Sequence, residues 1–352
     1  MHLVQRLPDN PLDIVGDIHG ELTALTELLR HLGYDACGQH AAGRKLVFVG
    51  DLCDRGPDSQ GVIELVRHLM TQGNAYTILG NHEINLLIDD AKDGSGWFFD
   101  ERFERDQRNY APFRRTPPEE RATLRHFLEQ LPLALVRDDI RVVHAAWTTA
   151  AIEAISTVPI GDVARQFKAW DAMAQSAAEQ SGLYERYLQE KKRWAEELEN
   201  ESNPPPFLHA IAEYEAAQQM VNPIKVLTSG IEQTATTAFF AGNRWRYSDR
   251  TKWWDEYDEA IPVVIGHYWR LFETPQTLDT PRYSRLFSGL APNAWHGKHH
   301  SVFCVDYSVG ARWRDRKKKR PVAHSRFKLA ALQWPENRLV FDSGEISATC
   351  KH

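Results

Sequence analysis

Three short polar clusters carry residue types able to hold metal ions and move protons: Gly16-Asp17-Ile18-His19-Gly20, Gly50-Asp51-Leu52-Cys53-Asp54-Arg55-Gly56 and Gly80-Asn81-His82-Glu83. Carboxylate, imidazole and carboxamide oxygen suit manganese, iron or zinc, and no thiolate set pulls the chemistry toward a structural zinc. Asp17 and His19 lie two apart, so along an extended backbone both side chains leave the same face and can grip one ion. Asp51, from a later cluster, can place one oxygen on that ion and the other on a second. A shared carboxylate of this kind fixes a two-metal centre.

The elements that must position these clusters are legible around them. Each follows a strand-like stretch: Leu12-Asp13-Ile14-Val15, Lys45-Leu46-Val47-Phe48-Val49 and Ala75-Tyr76-Thr77-Ile78-Leu79. After the first two, helical spacing takes over, with Leu22, Leu25, Leu28, Leu29 and Leu32 on one face, then Val62, Leu65, Val66 and Leu69. Strand, cluster, helix, repeated, predicts a parallel sheet. Ligands gather outside the carboxyl ends of such strands, so the three clusters should converge on one site.

Gly-Asp-x-His-Gly, Gly-Asp-x-x-Asp-Arg-Gly and Gly-Asn-His-Glu, in that order, resemble the calcineurin-like metallophosphoesterases, most closely the phosphoprotein phosphatase branch. The resemblance implies an α/β fold, a two-sheet sandwich flanked by helices. It also implies two further histidine ligands, each after an apolar strand. Ile140-Arg141-Val142-Val143-His144-Ala145-Ala146 fits the first, although the family more often has two glycines after that histidine. Val263-Val264-Ile265-Gly266-His267-Tyr268 fits the second. Many relatives read Gly-His-x-His there; here Tyr268 and Trp269 follow His267, which removes one nitrogen from the first metal and tilts the expectation from phosphodiesters toward monoesters or polyphosphates.

By the same resemblance, Asp17, His19 and Asp51 would hold one ion, and Asp51, Asn81, His144 and His267 the other, with manganese the expected metal and iron or zinc the alternatives. A hydroxide bridging the pair would attack phosphorus, Arg55 would bind the phosphoryl oxygens, and His82, oriented by Asp54, would protonate the leaving oxygen. Three functions follow: a phosphoserine/phosphothreonine protein phosphatase as the first reading, a dinucleoside polyphosphate hydrolase of the diadenosine tetraphosphatase kind as the alternative, and a catalytically idle metal-binding scaffold as the remote one. The substrate is accordingly a phosphorylated protein or a nucleotide.

The rest of the chain sets boundaries on these readings. With 352 residues, 42% of them hydrophobic and 26% charged, it has the composition of a globular protein of about two domains. A net charge of −6 argues against a nucleic-acid-coating protein. Cys37, Cys53, Cys304 and Cys350 show no paired spacing, which fits a reducing compartment, and no run of about 18 apolar residues occurs; a cytoplasmic location off the membrane is expected. Cys53 reads as a small packing residue.

Asp89 to Pro118 mixes charge with Trp97, Phe98, Phe99, Phe103, Tyr110 and Phe113; a mostly irregular satellite cluster on the flank is preferred over a substrate-facing lid. Pro117-Pro118-Glu119-Glu120 opens a helix. The alternating charges of Tyr184 to Glu201 predict solvated helix, and the chain divides into 1–149 and 225–352 as two halves of the phosphoesterase domain, with 150–224 as a helical insertion. Lys225-Val226-Leu227 is read as returning to the sheet. In Asn243 to Trp254, Arg246 or Arg250 is a candidate phosphate clamp beside Arg55. Ser301 to Tyr307, Phe327 to Gln333 and Arg338 to Asp342 are read as an antiparallel second layer, and the basic run Arg312 to Arg320 as a solvated turn.

Overall fold

The computed structural model describes residues 1–272 and 286–351. Two sheets face each other. One has the order β14-β13-β12-β2-β3-β4, with β2 (Leu12–Val15), β3 (Lys45–Phe48) and β4 (Ala75–Thr77) mutually parallel. The strands β12 (Ala330–Trp334), β13 (Arg338–Phe341) and β14 (Ile346–Ala348) extend it antiparallel from β2. The other has the order β1-β5-β6-β9-β11: β1 (Val4–Arg6), the hairpin β5 (Ala134–Arg137) and β6 (Ile140–Val143), then β9 (Val263–Ile265) and β11 (Val302–Cys304). Within it β6, β9 and β11 run parallel. Short β10 (Ala294–Trp295) and β15 (Cys350–Lys351) pair apart from both sheets.

Strand alternation explains the sandwich. Leu12 and Ile14 of β2 and Val47 of β3 point inward to meet Val142, Val264 and Phe303 of the facing sheet, and all are fully buried. The alternate residues, among them Val15, Leu46, Phe48, Val143 and Ile265, point outward under helices. There α1 (Leu22–Leu32) buries Leu25, Leu28, Leu29 and Leu32, each contributing about 1.5–3 kcal/mol of transfer free energy. It stops at Gly33, whose φ of 89° puts it in the left-handed region and lets its N–H reach the carbonyls of Leu29 and Arg30. The next helix, α2 (Ser59–Thr71), starts where the Asp58 side chain accepts from the Gly61 amide at 2.8 Å. The sandwich is completed by α3 (Asn81–Leu87), α4 (Asp100–Tyr110) and α5 (Pro118–Glu129).

The excursion after Asp89 is irregular over more than half of its length, with α4 inside it, which Asp100 and Glu101 in the first turn help to open. Three expectations need correcting. Lys225 to Leu227 do not form a strand: Asn222 caps and Pro223 starts α10 (Pro223–Ser229), which follows α6 (Thr149–Ile155), α7 (Val163–Gln180), α8 (Leu183–Arg193) and α9 (His209–Val221). The three C-terminal stretches do not make one antiparallel layer. Val302, Phe303 and Cys304 are buried on both faces and join β9 in parallel, whereas β12 and β13 add to the other sheet. The basic run is a short helix, α11 (Arg312–Lys317), with Arg312 and Asp315 buried. The cation-rich stretch 243–254 lies mainly in a long hairpin, β7 (Glu232–Ala241) and β8 (Arg244–Arg250). Among the described residues no helix is long and apolar enough to cross a membrane, and the four cysteines are free.

Candidate metal and phosphate site

Parallel strands of both sheets end at one edge, and each delivers a polar residue just past its last hydrogen bond. From one sheet, β2 leads to Asp17 and His19, β3 to Asp51, and β4 to Asn81 and His82; from the other, β6 leads to His144 and β9 to His267. The backbones meet closely. A Cβ on Gly80 would lie 2.3 Å from Asp51 Oδ1, and one on Gly266 2.0 Å from Asp17 Oδ1, so both positions admit only glycine. Several of the site residues pay for the sharp exits from their strands with left-handed backbone: His19 (φ 47°), Asp51 (49°), Asp54 (73°), Arg55 (68°) and His267 (61°).

Asp51 is at the centre. Its Oδ2 lies 3.3 Å from His144 Nε2, 3.7 Å from His19 Nε2 and 3.9 Å from His82 Nε2, while its Oδ1 accepts from the His82 amide at 3.0 Å. Two groups of ligand atoms result, His19-Asp51-His82 and Asp51-His144-His267, each within 4.8 Å, with Asp51 common to both. Asp17 Oδ2 stands 4.0 Å from His19 Nε2, and its carboxylate accepts from the His267 amide at 3.0 Å. The Asn81 side-chain oxygen lies 2.9 Å from His267 Nδ1. All six candidate ligands therefore meet, and His82 stands closer to the first group than its expected role as acid required.

These atoms suit cations. His144 donates from Nδ1 to the Val49 carbonyl at 2.7 Å and His19 from Nδ1 to the Cys53 carbonyl at 3.0 Å, so both present an Nε2 lone pair inward. Among the described residues the buried Nε2 atoms of His144 and His267 have no hydrogen-bond partner, an arrangement that a divalent ion relieves. Burial, with the Arg55 charge next, holds the His19 imidazole well below the ordinary histidine pKa, and burial with Arg250 does the same for His267; both are neutral donors at pH 7. Burial also opposes a charged His144, but Asp51 outweighs it and raises that ring's pKa. Burial and the neighbouring Asp306 raise Asp17 well above the usual carboxylate range, the expected cost of gathering acids without a cation. Arg55 Nη1 donates to His19 Nε2 at 3.0 Å, so a cation on that nitrogen requires the guanidinium to swing outward.

Beside the cluster, His82 Nδ1 sits 2.5 Å from Asp54 Oδ2. Three partners of the site escaped the sequence reading. Trp97, taken as flank packing, donates its indole N–H to the other Asp54 oxygen at 2.5 Å. Glu83, fully buried, accepts from the amides of Asp51 and Leu52 at 2.8 Å and Gly80 at 2.9 Å, tying two ligand loops together; Cys53 Sγ also reaches it at 3.3 Å. Asp306 follows β11 at the same edge. Its Oδ1 accepts from the Ser308 amide at 2.7 Å, its buried Oδ2 has no hydrogen-bond partner among the described residues, and burial with the Asp51 charge pushes its pKa up to about 7 against that amide bond. The strand-end position of Asp306 was a usable signal; nothing in the sequence linked Trp97 to Asp54. Of the two candidate clamps, Arg250 lies 5.9 Å from the Tyr268 ring and acts on His267, whereas Arg246 turns back to the Ala241 carbonyl in the hairpin.

The profile of the calcineurin-like phosphoesterase family matches residues 11–214. Among curated proteins, the bis(5'-nucleosyl)-tetraphosphatase (asymmetrical) of Oceanobacillus iheyensis is 53% identical over 74 residues, and that of Bacillus subtilis 44% over 73. Each match covers 20% of this chain and 30% of the relative. A solved cold-active protein-tyrosine phosphatase of a Shewanella species superposes with a TM-score of 0.48 at 15% identity, over 98% of this chain and 83% of that one.

Proposed function

This chain belongs to the calcineurin-like phosphoesterase family, and from that premise we propose that it is a metal-dependent phosphoric ester hydrolase working at the Asp51-centred cluster. The observation that carries the proposal is the sharing of Asp51 by two ligand groups whose remaining donors are imidazole. Asp17, His19, Asp51, Asn81, His144 and His267 would hold two divalent ions, manganese fitting this mixed O and N donor set. When bound, such a pair supplies Lewis acidity and lowers the pKa of an attacking water.

The chain's own residues supply the rest. Arg55, half-buried beside His19, presents a planar fork to phosphoryl oxygens. His82, with Nδ1 fixed on Asp54, has its Nε2 toward the cluster and can give a proton to the departing oxygen. Trp97 holds Asp54 from the other side and shields it from water. Residues 1–149 and 225–352 contain every proposed site residue, and 150–224 contain none, which supports reading the latter as an insertion.

Two substrate readings remain. The curated relatives are named for a dinucleoside tetraphosphate, and those names favour a polyphosphate anhydride; the Gly-Asn-His-Glu set equally serves phosphoserine and phosphothreonine in the branch that the motifs resemble. Purified protein with manganese should be offered diadenosine tetraphosphate and a phosphothreonine peptide side by side. Turnover of either supports the hydrolase proposal, the ratio selects the substrate, and no turnover of either or of a nitrophenyl ester overturns it.

A further inference from the structure

A strip of alternating cations and aromatic rings leaves the cluster over α11. The Arg55 guanidinium carbon lies 5.0 Å from the centre of the Trp269 ring, and Trp269 stands beside His19 with ring centres 6.3 Å apart. Arg314 follows, 6.0 Å from Trp269 and 5.3 Å from Trp313. Lys317 Nζ is 5.2 Å from the centre of the Trp313 ring, and Trp313 and Tyr110 form a T-shaped pair with ring centres 5.1 Å apart. Trp269, Trp313 and Arg314 are half-buried and Lys317 is exposed, so each keeps some surface toward solvent.

Three neighbouring cations are committed to the fold. Arg312 of α11 is buried against Asp342 at 2.6 Å, Arg316 of α11 is paired with Glu21, and Arg320, just beyond the helix, reaches Asp315 at 3.2 Å. Arg314 makes no ion pair among the described residues and lies between two indoles. A guanidinium so placed keeps its N–H donors for an anion, while indole faces accept a planar π-system. A ligand matching the strip therefore has phosphate at one end, further negative charge next, and a flat ring beyond. A phosphopeptide offers the first feature and generally lacks the others.

We propose that Trp269, Arg314 and Trp313 form the subsite for the nucleoside arm of a nucleoside polyphosphate whose reacting phosphate lies at the Asp51 cluster, an assignment that rests on the phosphoesterase reading above. The phosphate chain passes Arg55 and Arg314, and the base stacks on an indole, an interaction sequence-tolerant among bases because each has a π-face.

The test uses the full chain loaded with manganese and two non-hydrolysable probes, the methylene analogue of ADP and methylenediphosphonate, each titrated calorimetrically. The nucleotide analogue should bind roughly tenfold tighter than the diphosphonate, the size expected for one stacked base. Trp313→Leu should bring that ratio close to one, and Trp313→Phe should restore most of it. A wild-type ratio near one, or a ratio that survives Trp313→Leu, overturns the proposal. If Trp313→Leu loses its cooperative melting transition, Arg314→Gln takes its place, with the same collapse of the ratio expected and an unchanged ratio fatal. Hydrolysis of diadenosine tetraphosphate is scored separately. Protein that leaves it intact but shows the ratio and its loss keeps the subsite and discards that substrate; protein that splits it with a ratio near one does the reverse.

Discussion

Trp97 and His82 are tied to the same carboxylate: the indole N–H of Trp97 holds Oδ1 of Asp54 at 2.5 Å and Nδ1 of His82 holds Oδ2 at 2.5 Å. Asp54, fully buried and in left-handed backbone, thus cannot rotate without breaking one bond or the other. The aromatic excursion after Asp89 therefore reaches the carboxylate that orients His82, the proposed acid.

Trp97→Phe keeps the ring and removes the donor. It should lower kcat roughly tenfold, in line with loss of one charge-assisted hydrogen bond. The loss should be larger for an alkyl phosphate than for a nitrophenyl ester. Bound metal, counted by plasma emission, should not change; a drop in metal content would show that Trp97 supports the ligand loops instead.

His82→Ala tests the acid directly. We expect kcat to fall by about two to four orders of magnitude on an alkyl phosphate, the range for general acid catalysis, and by much less on nitrophenyl phosphate, whose phenolate departs unaided. Equal losses would leave His82 a positioning residue. Loss of metal instead would make it a ligand, an outcome its 3.9 Å distance to Asp51 Oδ2 makes worth measuring.

Exhaustive chelation should abolish activity, and manganese should restore it better than magnesium, whose preference for octahedral oxygen suits imidazole poorly. Asp51→Asn should cost more metal than loss of Asn81 or His267 alone, because Asp51 belongs to both ligand groups. Activity that persists without metal would remove the mechanism.

The His144 pKa gives a signed pH prediction. With the metal stripped, burial lowers this pKa, but Asp51 outweighs burial and raises it above the ordinary value of 6.5, so near that pH the ring carries a proton that an entering ion must expel. Metal uptake just above pH 6.5 should release protons from His144 and from Asp17 and Asp306, whose pKa values burial also raises, seen as a buffer-dependent heat in calorimetry, and affinity should rise with pH until these groups have lost their protons unaided. His19 and His267, with lowered pKa values, should add nothing there. The same sign makes the His144–Asp51 pair stabilising in the metal-free fold at low pH, an effect lost as pH rises through the raised value. Uptake of metal without proton release would contradict this.

What was legible in the sequence was local. Asp17 with His19, Asp51 with Asp54, and Asn81 with His82 each sit within a few residues of a strand end, so spacing alone placed them at one sheet edge. What was not legible was set by contacts across the chain. Trp97 meets Asp54 from 43 residues away, and Glu83 ties together loops whose amides carry no sequence mark. The misplacement of Lys225 to Leu227 came from an apolar run too short to have a period; Asn222-Pro223, a cap followed by a first-turn proline, was the better sign. Likewise, nothing in the spelling of Arg246 and Arg250 distinguishes the one turned into its hairpin from the one near His267. The pairing register of β7 and β8 decides it.

The left-handed backbone at His19, Asp51, Asp54, Arg55 and His267 has an engineering consequence. Residues with a Cβ are disfavoured there by about 1–2 kcal/mol each, whereas glycine is indifferent. Arg55→Gly, at φ 68°, would thus be a knockout whose backbone is better suited to its conformation than that of the natural chain. Thermostability selection that ignores turnover would drift toward such changes, and a melting temperature that rises as activity vanishes would mark where this molecule has kept function at the expense of durability.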